Sequence, residues 1–170
     1  MNYFRVETES MTNGPGLRTI LWVAGCEHHC KNCHNPETWS KDGGEKFTKE
    51  TIETVMKEVG QDYCKGITFS GGDPLASYNL KTVTNLAKRI REEFGNKKDI
   101  WLYTGYTYEE VKKLSIMKYI DVLVDGEFIE ELKDATLLWR GSSNQRIIDM
   151  NKTREHKKIV LYNNKDEEFG

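Results

Sequence analysis

The chain has 170 residues, enough for one domain of ordinary size, and we expect a single domain over residues 1–170. It carries 25 Lys and Arg against 27 Asp and Glu, and this near balance gives no electrostatic case for binding nucleic acid or a membrane surface. No stretch approaches the ~20 apolar residues of a membrane span, and the N-terminus lacks the apolar segment of a signal peptide, so the sequence predicts a cytoplasmic protein.

The first half of the chain alternates predicted strands and helices. Residues 17–23 (LRTILWV) are β-rich and mostly apolar, which predicts a buried strand, and a cysteine-rich loop follows it directly. After Thr48 the apolar residues recur with the i, i+3, i+4, i+7 spacing of an amphipathic helix, which Gly60 is expected to end. Residues 66–70 (GITFS) predict a second strand, and residues 79–94 predict a second amphipathic helix.

The second half gives two clear strands and two weaker ones. Residues 100–104 (IWLYT) and 120–124 (IDVLV) predict the third and fourth strands, and a capping-box pattern at 107–110 lies between them. Residues 146–150 and 158–162 predict two further strands, which a polar turn would join as an antiparallel pair.

These elements predict an α/β fold built from parallel βαβ units. The predicted strands are too few for a closed eight-stranded barrel of about 250 residues. We therefore expect an open partial barrel, or an open twisted sheet, of parallel strands with the antiparallel pair near the C-terminus. The cysteine loop and the segments G-G-D-P, T-G-Y and D-G-E each follow a strand directly. The four segments should therefore meet at one end of the sheet and build the site there.

Cys26, Cys30 and Cys33 form a C-x3-C-x2-C pattern in the loop after the first strand. In a reducing cytosol such a group indicates a metal site rather than disulfides. A structural zinc is one alternative, although the usual second cysteine pair is missing. Its candidate fourth ligands are His28, His29 and His34. The other alternative is a [4Fe–4S] cluster held by three thiolates, which would leave one iron free to bind a small molecule.

The order of these motifs resembles the radical S-adenosylmethionine superfamily, in which a C-x3-C-x2-C loop precedes a glycine-rich motif such as residues 71–74 (GGDP). Residues 13–19 (NGPGLRT) and 33–39 (CHNPETW) are similar to the glycyl-radical-enzyme activases of that superfamily. Asn13 departs from the family, which often carries Asp there. The short length and residues 140–149 (RGSSNQRIID) suit the subgroup that acts on anaerobic ribonucleoside-triphosphate reductase.

The resemblance implies an enzyme with a [4Fe–4S] cluster and S-adenosylmethionine. Reductive cleavage of the cofactor would give a 5′-deoxyadenosyl radical, which removes a hydrogen atom from a glycine of a protein partner. The implied partners are the large subunit of the reductase and a one-electron donor. Pyruvate formate-lyase is an alternative partner, but its activases are longer and often carry Asp-x-Lys where this chain has residues 125–127 (DGE). A zinc-binding interaction module is the alternative of a different class.

The resemblance also implies roles for individual residues. The cluster ligands would be Cys26, Cys30 and Cys33. The cofactor contacts would be Asn32, Cys33 and His34 on the adenine side, Gly71, Gly72 and Asp73 at the methionine end, and Thr104 and Gly105 at the ribose. Asp125 would contact the ribose or a cation, or would only form a turn. Glycines let the backbone approach a ligand closely, and the Asp73 carboxylate could accept a hydrogen bond from an ammonium.

Four further residues have no role in this scheme. His28 and His29 are expected to face solvent in the cysteine loop. Arg18 is expected to pair with a carboxylate that the sequence does not identify. Cys64 lies apart from the other cysteines and is expected to be a buried free thiol.

Overall fold

The computed structural model describes residues 1–163, which form seven strands, four α-helices and three short 3-10 helices. The strands are β1 Asn2–Ser10, β2 Arg18–Val23, β3 Glu45–Lys46, β4 Gly66–Gly71, β5 Asp99–Tyr103, β6 Val122–Asp125 and β7 Arg146–Asp149. The α-helices are α1 Lys49–Val59, α2 Ser77–Phe94, α3 Tyr108–Val111 and α4 Met150–His156. The 3-10 helices are Pro36–Thr38, Ser115–Lys118 and Glu130–Leu132.

The strands form one mixed sheet in the order β3-β1-β2-β4-β5-β6-β7. The four central strands, β2, β4, β5 and β6, are parallel, and the strands outside them are antiparallel to their neighbours. The predicted parallel core is therefore confirmed. Strands β1 and β3 were not predicted, because β1 (NYFRVETES) is largely polar and lacks the apolar run of a buried strand, and β3 is only two residues long.

The two long helices confirm the helical periodicity of the sequence. Helix α1 begins after Thr48, whose side chain accepts a hydrogen bond from the Thr51 amide, and ends at Gly60. Helix α2 begins at Ser77, two residues before its predicted start. Both helices pack their apolar sides on one face of the sheet, where the side chains of β2, β4 and β5 form the main core.

The prediction of a strand at residues 158–162 is wrong. Helix α4 follows β7 directly, and Asp149 caps it by accepting a hydrogen bond from the Lys152 amide. Lys157, in the left-handed conformation, then reverses the chain. The returning segment runs beside β7 but makes only an isolated bridge between Ile148 and Leu161. The antiparallel partner of β7 is instead β6.

The second face of the sheet carries a buried arginine. The guanidinium of Arg18 is fully buried and forms an ion pair with Asp99, the partner that the sequence did not identify. It also donates hydrogen bonds to Thr68 Oγ1 (2.9 Å) and to the Pro15 carbonyl (2.8 Å). Because Thr68 in turn donates to the Asn13 carbonyl, the arginine fixes the loop before β2 against the sheet.

Among residues 1–163, no helix is long and apolar enough to cross a membrane.

We expect Arg18→Met to lower the free energy of unfolding by about 3 kcal/mol, because it leaves the Asp99 carboxylate and the Pro15 carbonyl without their donor. Denaturant unfolding of the metal-free protein measures this change. Arg89→Met is the matched control, because Arg89 forms a pair with Glu53 on the surface and its loss should leave the unfolding midpoint near that of the wild type. Equal midpoints for the two variants would contradict the structural role of Arg18.

Candidate functional site

The carboxyl ends of the four parallel strands surround one cavity of about 490 Å³. All four segments that follow these strands contribute to its wall, so the predicted convergence is confirmed. The predicted site residues that line the cavity are Cys26, Cys30, Cys33, His34, Gly71, Gly72, Thr104 and Gly105. Three other predicted residues, Asn32, Asp73 and Asp125, are not part of the lining.

The cysteine loop is closed at its base by backbone hydrogen bonds. Gly25, with φ of +101°, donates to the Thr38 carbonyl (2.7 Å), and Cys26 donates to the Trp39 carbonyl (3.1 Å). At its tip the Cys33 amide donates to the Cys30 carbonyl (3.1 Å), which forms a tight turn. The loop therefore holds three free, partly exposed thiols on one side of the cavity.

Two of these thiols are less acidic than an ordinary cysteine. Burial raises the pKa of Cys26 to about 11, and burial also raises the pKa of Cys30. Both side chains are therefore protonated thiols at neutral pH when no metal is bound. Metal binding requires the thiolate, so loading this loop must release protons.

The glycine turn packs directly against the base of the cysteine loop. The Gly72 amide donates to the Val23 carbonyl (2.9 Å), and the Asp73 amide donates to the Gly25 carbonyl (2.7 Å). A Cβ atom at Gly72 would overlap the backbone of Gly25, and Gly71 has φ of +105°. The two glycines are thus required for the close contact between two loops, in addition to any contact with a ligand.

The carboxylate of Asp73 is buried and its oxygens are occupied by protein donors. Oδ1 accepts from the Leu75 amide (2.9 Å) and from Thr104 Oγ1 (2.9 Å). Oδ2 accepts from the Gly105 amide (3.0 Å) and lies 2.6 Å from His28 Nε2. This geometry argues against the predicted hydrogen bond between the Asp73 carboxylate and a cofactor ammonium, because Asp73 holds the loops together instead.

His28 does not face solvent, so that prediction is wrong. Its side chain is only 9 % exposed, and Nδ1 lies 2.8 Å from Glu127 Oε1. The pKa of His28 is raised to about 9, mainly by the hydrogen bond to Asp73. The imidazole is therefore protonated at neutral pH and bridges two carboxylates. Its ring also meets that of Tyr106 edge-on, with centroids 4.5 Å apart.

The other histidines of the loop are exposed. His29 stacks on Trp39 with ring centroids 4.5 Å apart, and its predicted exposure is confirmed. His34 lines the cavity and lies 4.9 Å from the Phe128 ring. Asn32 is exposed and has φ of +55°, so it forms the turn before Cys33.

Asp125 lies behind the cavity rather than in its wall. Its carboxylate is buried and accepts hydrogen bonds from Arg146 Nη2 (2.5 Å) and from the Tyr108 amide (2.8 Å). Both of these bonds are to Oδ2, and Oδ1 accepts from Arg146 Nε (3.1 Å), so both oxygens already bind protein donors. These contacts argue against a ribose or cation role. Cys64 is buried and free, as expected, and its thiol donates to the Gly66 carbonyl (3.2 Å) at the far end of β4.

Sequence reasoning missed the aromatic wall of the cavity. The residues that form it are Trp22, Trp39, Tyr103, Phe128 and Trp139. The indole nitrogens of Trp22 and Trp39 are buried and have no hydrogen-bond acceptor among residues 1–163. Buried indole N–H groups usually have an acceptor, so these two donors are unsatisfied among the described residues.

Comparison with known proteins places these features in context. A family model described as a 4Fe-4S single cluster domain matches residues 12–148. The chain is 44% identical over 151 residues to the anaerobic ribonucleoside-triphosphate reductase-activating protein of Vibrio cholerae. The alignment covers 86% of this chain and 97% of that protein. The chain is 42% identical over 147 residues to the protein of the same name from Enterobacteria phage T4, with 86% and 93% coverage. The Escherichia coli K12 protein of that name is 42% identical over 149 residues, with 85% and 96% coverage.

We expect Gly72→Ala to cost about 1–3 kcal/mol of stability, because its Cβ must displace the Gly25 backbone. The same displacement should move Cys26, so the variant should also retain less iron after anaerobic reconstitution. Iron analysis and denaturant unfolding measure the two effects. In the control, Gly60→Ala, a Cβ meets nothing closer than 3.2 Å and the site is remote. Wild-type iron content in Gly72→Ala would show that the contact does not position the loop.

Proposed function

Since the chain belongs to the family of anaerobic ribonucleoside-triphosphate reductase-activating proteins, we propose that it is a radical S-adenosylmethionine enzyme that generates a glycyl radical on that reductase. It also belongs to the 4Fe-4S single cluster domain family. The observation that carries the proposal is the placement of three thiols in one cavity with the glycine turn and the end of β5. The cavity can thereby bring a metal cluster and an organic cofactor into contact.

The proposed cluster ligands are Cys26, Cys30 and Cys33. The residues fit a [4Fe–4S] cluster, because all three thiols are free and line one cavity. The two unpartnered indole N–H groups in the same wall could donate to sulfur or to the cofactor. Three protein ligands would leave one iron open to S-adenosylmethionine. When bound, the reduced cluster would supply the one electron that cleaves the cofactor, and the resulting 5′-deoxyadenosyl radical would take a hydrogen atom from the glycine.

The walls of the cavity are proposed to orient the cofactor. Gly71 and Gly72 would approach the methionine end of the cofactor through their backbone. His34 would lie at the adenine, and Asn32 is proposed as a second contact on that side. Thr104 donates its hydroxyl hydrogen to Asp73 and accepts from the Tyr106 amide (3.2 Å). One oxygen lone pair therefore remains to accept a hydrogen bond from a ribose hydroxyl.

The Gly105 amide is already bound to Asp73, which leaves the Gly105 carbonyl as its backbone group for the ribose. We also propose that the parallel strands form a truncated (β/α) barrel of the radical S-adenosylmethionine type.

The free thiols favour a reducing compartment, so we propose that the protein works in the cytoplasm.

The proposed substrate is a glycine of the large subunit of anaerobic ribonucleoside-triphosphate reductase. The cavity is flanked by exposed apolar side chains, since Met11 and Leu138 are 68% and 54% exposed and adjoin the lining residues Thr12 and Trp139. We propose these two side chains as contacts of the partner protein. A one-electron donor must also reach the cluster.

Two alternative functions make different demands on the site. An activase of pyruvate formate-lyase would use the same cavity to act on a different partner protein. A zinc-binding module would need four donor atoms at about 2.0–2.3 Å from one ion. Among residues 1–163, no three His, Cys, Asp or Glu side chains are arranged to hold a single ion. A four-iron cluster instead lets each thiol bind a different iron, which favours the cluster.

We expect anaerobically reconstituted protein to hold about four iron and four sulfide per chain, rather than about one zinc. Its reduced form should give a [4Fe–4S]⁺ electron paramagnetic resonance signal that S-adenosylmethionine shifts. Cys26→Ala, Cys30→Ala and Cys33→Ala should each lose most of the iron, because each removes a ligand.

Cys64→Ala is the matched control for these variants. Its thiol is buried at the opposite end of β4, so iron content and the spectroscopic signal should remain. A full complement of iron in Cys30→Ala, or one zinc per wild-type chain, would contradict the cluster assignment.

The partner is tested by mixing the reduced, iron-loaded protein with S-adenosylmethionine and either the reductase large subunit or pyruvate formate-lyase. We expect a glycyl radical signal on the reductase, because the family is named for that target. A radical on the lyase with none on the reductase would overturn the partner and leave the activase class in place.

A further inference from the structure

We infer that His28 is a positioning residue that fixes the cysteine loop against the other walls of the cavity by bridging Asp73 and Glu127. The inference rests on the proposed function, because it takes the loop to be the holder of the cluster. His28 is not proposed as a ligand. Its two ring nitrogens are both engaged by carboxylates, at 2.6 Å from Asp73 Oδ2 and 2.8 Å from Glu127 Oε1.

The bridge joins loops that are distant in the sequence. Asp73 lies 45 residues after His28 and Glu127 lies 99 residues after it. Asp73 also binds Thr104 and the Gly105 amide, so the buried side of the bridge reaches the end of β5. The loops after β2, β4, β5 and β6 are thus connected through one imidazole and one buried carboxylate.

The position of His28 in the loop makes this bridge important for the thiols. His28 is the central residue of the three between Cys26 and Cys30, so a displacement of its backbone moves both. On the far side of the bridge, Phe128 follows Glu127 directly and lines the same cavity as Cys30. His28 therefore ties the cysteine loop to the segment that forms another part of the cavity wall.

The imidazole also sets how closely the cysteine loop approaches the end of β5. A Cβ atom at Gly105 would overlap the His28 ring, so the ring lies directly on the Gly105 backbone. Tyr106 packs edge-on against the same ring. His28 thereby separates the cavity from a second groove, which shares His28, Gly105 and Gly126 with it.

The geometry explains why histidine suits this place. The two ring nitrogens point to different sides of the imidazole, and each lies within hydrogen-bond distance of a carboxylate oxygen. A Gln side chain has its donors on a single nitrogen, so it can bind one of the two carboxylates but cannot bridge them. Groups that orient metal ligands from outside the coordination sphere typically change metal affinity or activity about 10–100-fold when they are removed.

The test compares His28→Ala and His28→Gln with wild type and with His156→Gln, a control at an exposed histidine of α4. The first measurement is the rate at which a chelator removes iron from the reconstituted, anaerobic protein. We expect this rate to rise about 10-fold or more in His28→Ala, with a smaller rise in His28→Gln, which retains one hydrogen bond. The control should lose iron at the wild-type rate.

The second measurement is the shift of the reduced electron paramagnetic resonance signal when S-adenosylmethionine is added. We expect a weakened or absent shift in the His28→Ala molecules that still hold the cluster, because the cysteine loop is no longer fixed against the glycine turn. The unfolding midpoint of each metal-free variant is recorded in parallel. A role confined to fold stability would lower the midpoint and leave the shift of the cluster-loaded fraction unchanged, which would overturn the inference.

Glu127→Ala provides a second variant if His28→Ala does not fold. The Glu127 side chain is 53% exposed, so its truncation removes the outer half of the bridge without opening the core. We expect faster iron loss than in wild type, and a wild-type rate would overturn the inference. The proposed function is tested separately, by the wild-type protein alone. A wild-type protein that holds no iron, or whose signal does not respond to S-adenosylmethionine, would refute that function whatever the variants show.

Discussion

The buried carboxylate of Asp73 is the constraint on which the arrangement of the site depends. A carboxylate removed from water is tolerated only when donors surround it, and here the donors come from its own turn, from the end of β5 and from the cysteine loop. Satisfying one buried charge thus forces three loops into fixed positions. The closely packed backbones of Gly25 and Gly72 add a steric condition, because the same two loops must approach each other without side chains between them.

A second buried charge organises the opposite end of the parallel strands. Arg18 and Asp99 pair at the beginning of β2 and β5, and the guanidinium also holds the backbone carbonyl of Pro15. The loop that contains Pro15 also brings Thr12 and Asn13 to the cavity. The sheet is therefore fixed at both ends by an ionic group with long-range partners, and the apolar core on the helical face joins the two ends. Rigid strands between two fixed ends give the loops a stable base from which to hold a cluster and a cofactor.

The cavity combines groups suited to different parts of a reaction. Free thiols lie on one side, glycines and a threonine hydroxyl on another, and aromatic rings form much of the remaining wall. Aromatic rings help to exclude water from the site, which suits a cavity proposed to generate a reactive radical. The segment after β6 contributes both to this wall, through Phe128 and Trp139, and to the bridge, through Glu127. One loop therefore links the shape of the cavity to the position of the thiols.

Most of the parallel core, both long helices and the position of the site were predictable from the sequence, because each follows from local periodicity or from the rule that loops meet where parallel strands end. The spacing of Cys26, Cys30 and Cys33 and the G-G-D-P segment likewise predicted the kind of chemistry. The polar strand β1 was not predictable in this way, because its residues have no apolar pattern and it is held by pairing with β2 and β3. The strand predicted at 158–162 failed for the converse reason, since its β-rich residues find only a single bridge to β7.

The sequence by itself therefore determined which elements form and which reactive residues lie at the strand ends. Only the tertiary structure decided what each polar side chain binds. Arg18 pairs with Asp99, 81 residues away in the sequence, and His28 pairs with Glu127, 99 residues away. The Asp125 carboxylate binds Arg146 rather than facing the cavity. Periodicity acts over a few residues and so appears in the local sequence. Hydrogen-bond partners are set by the order and register of strands far apart in the chain, and these emerge only when the whole sheet has assembled.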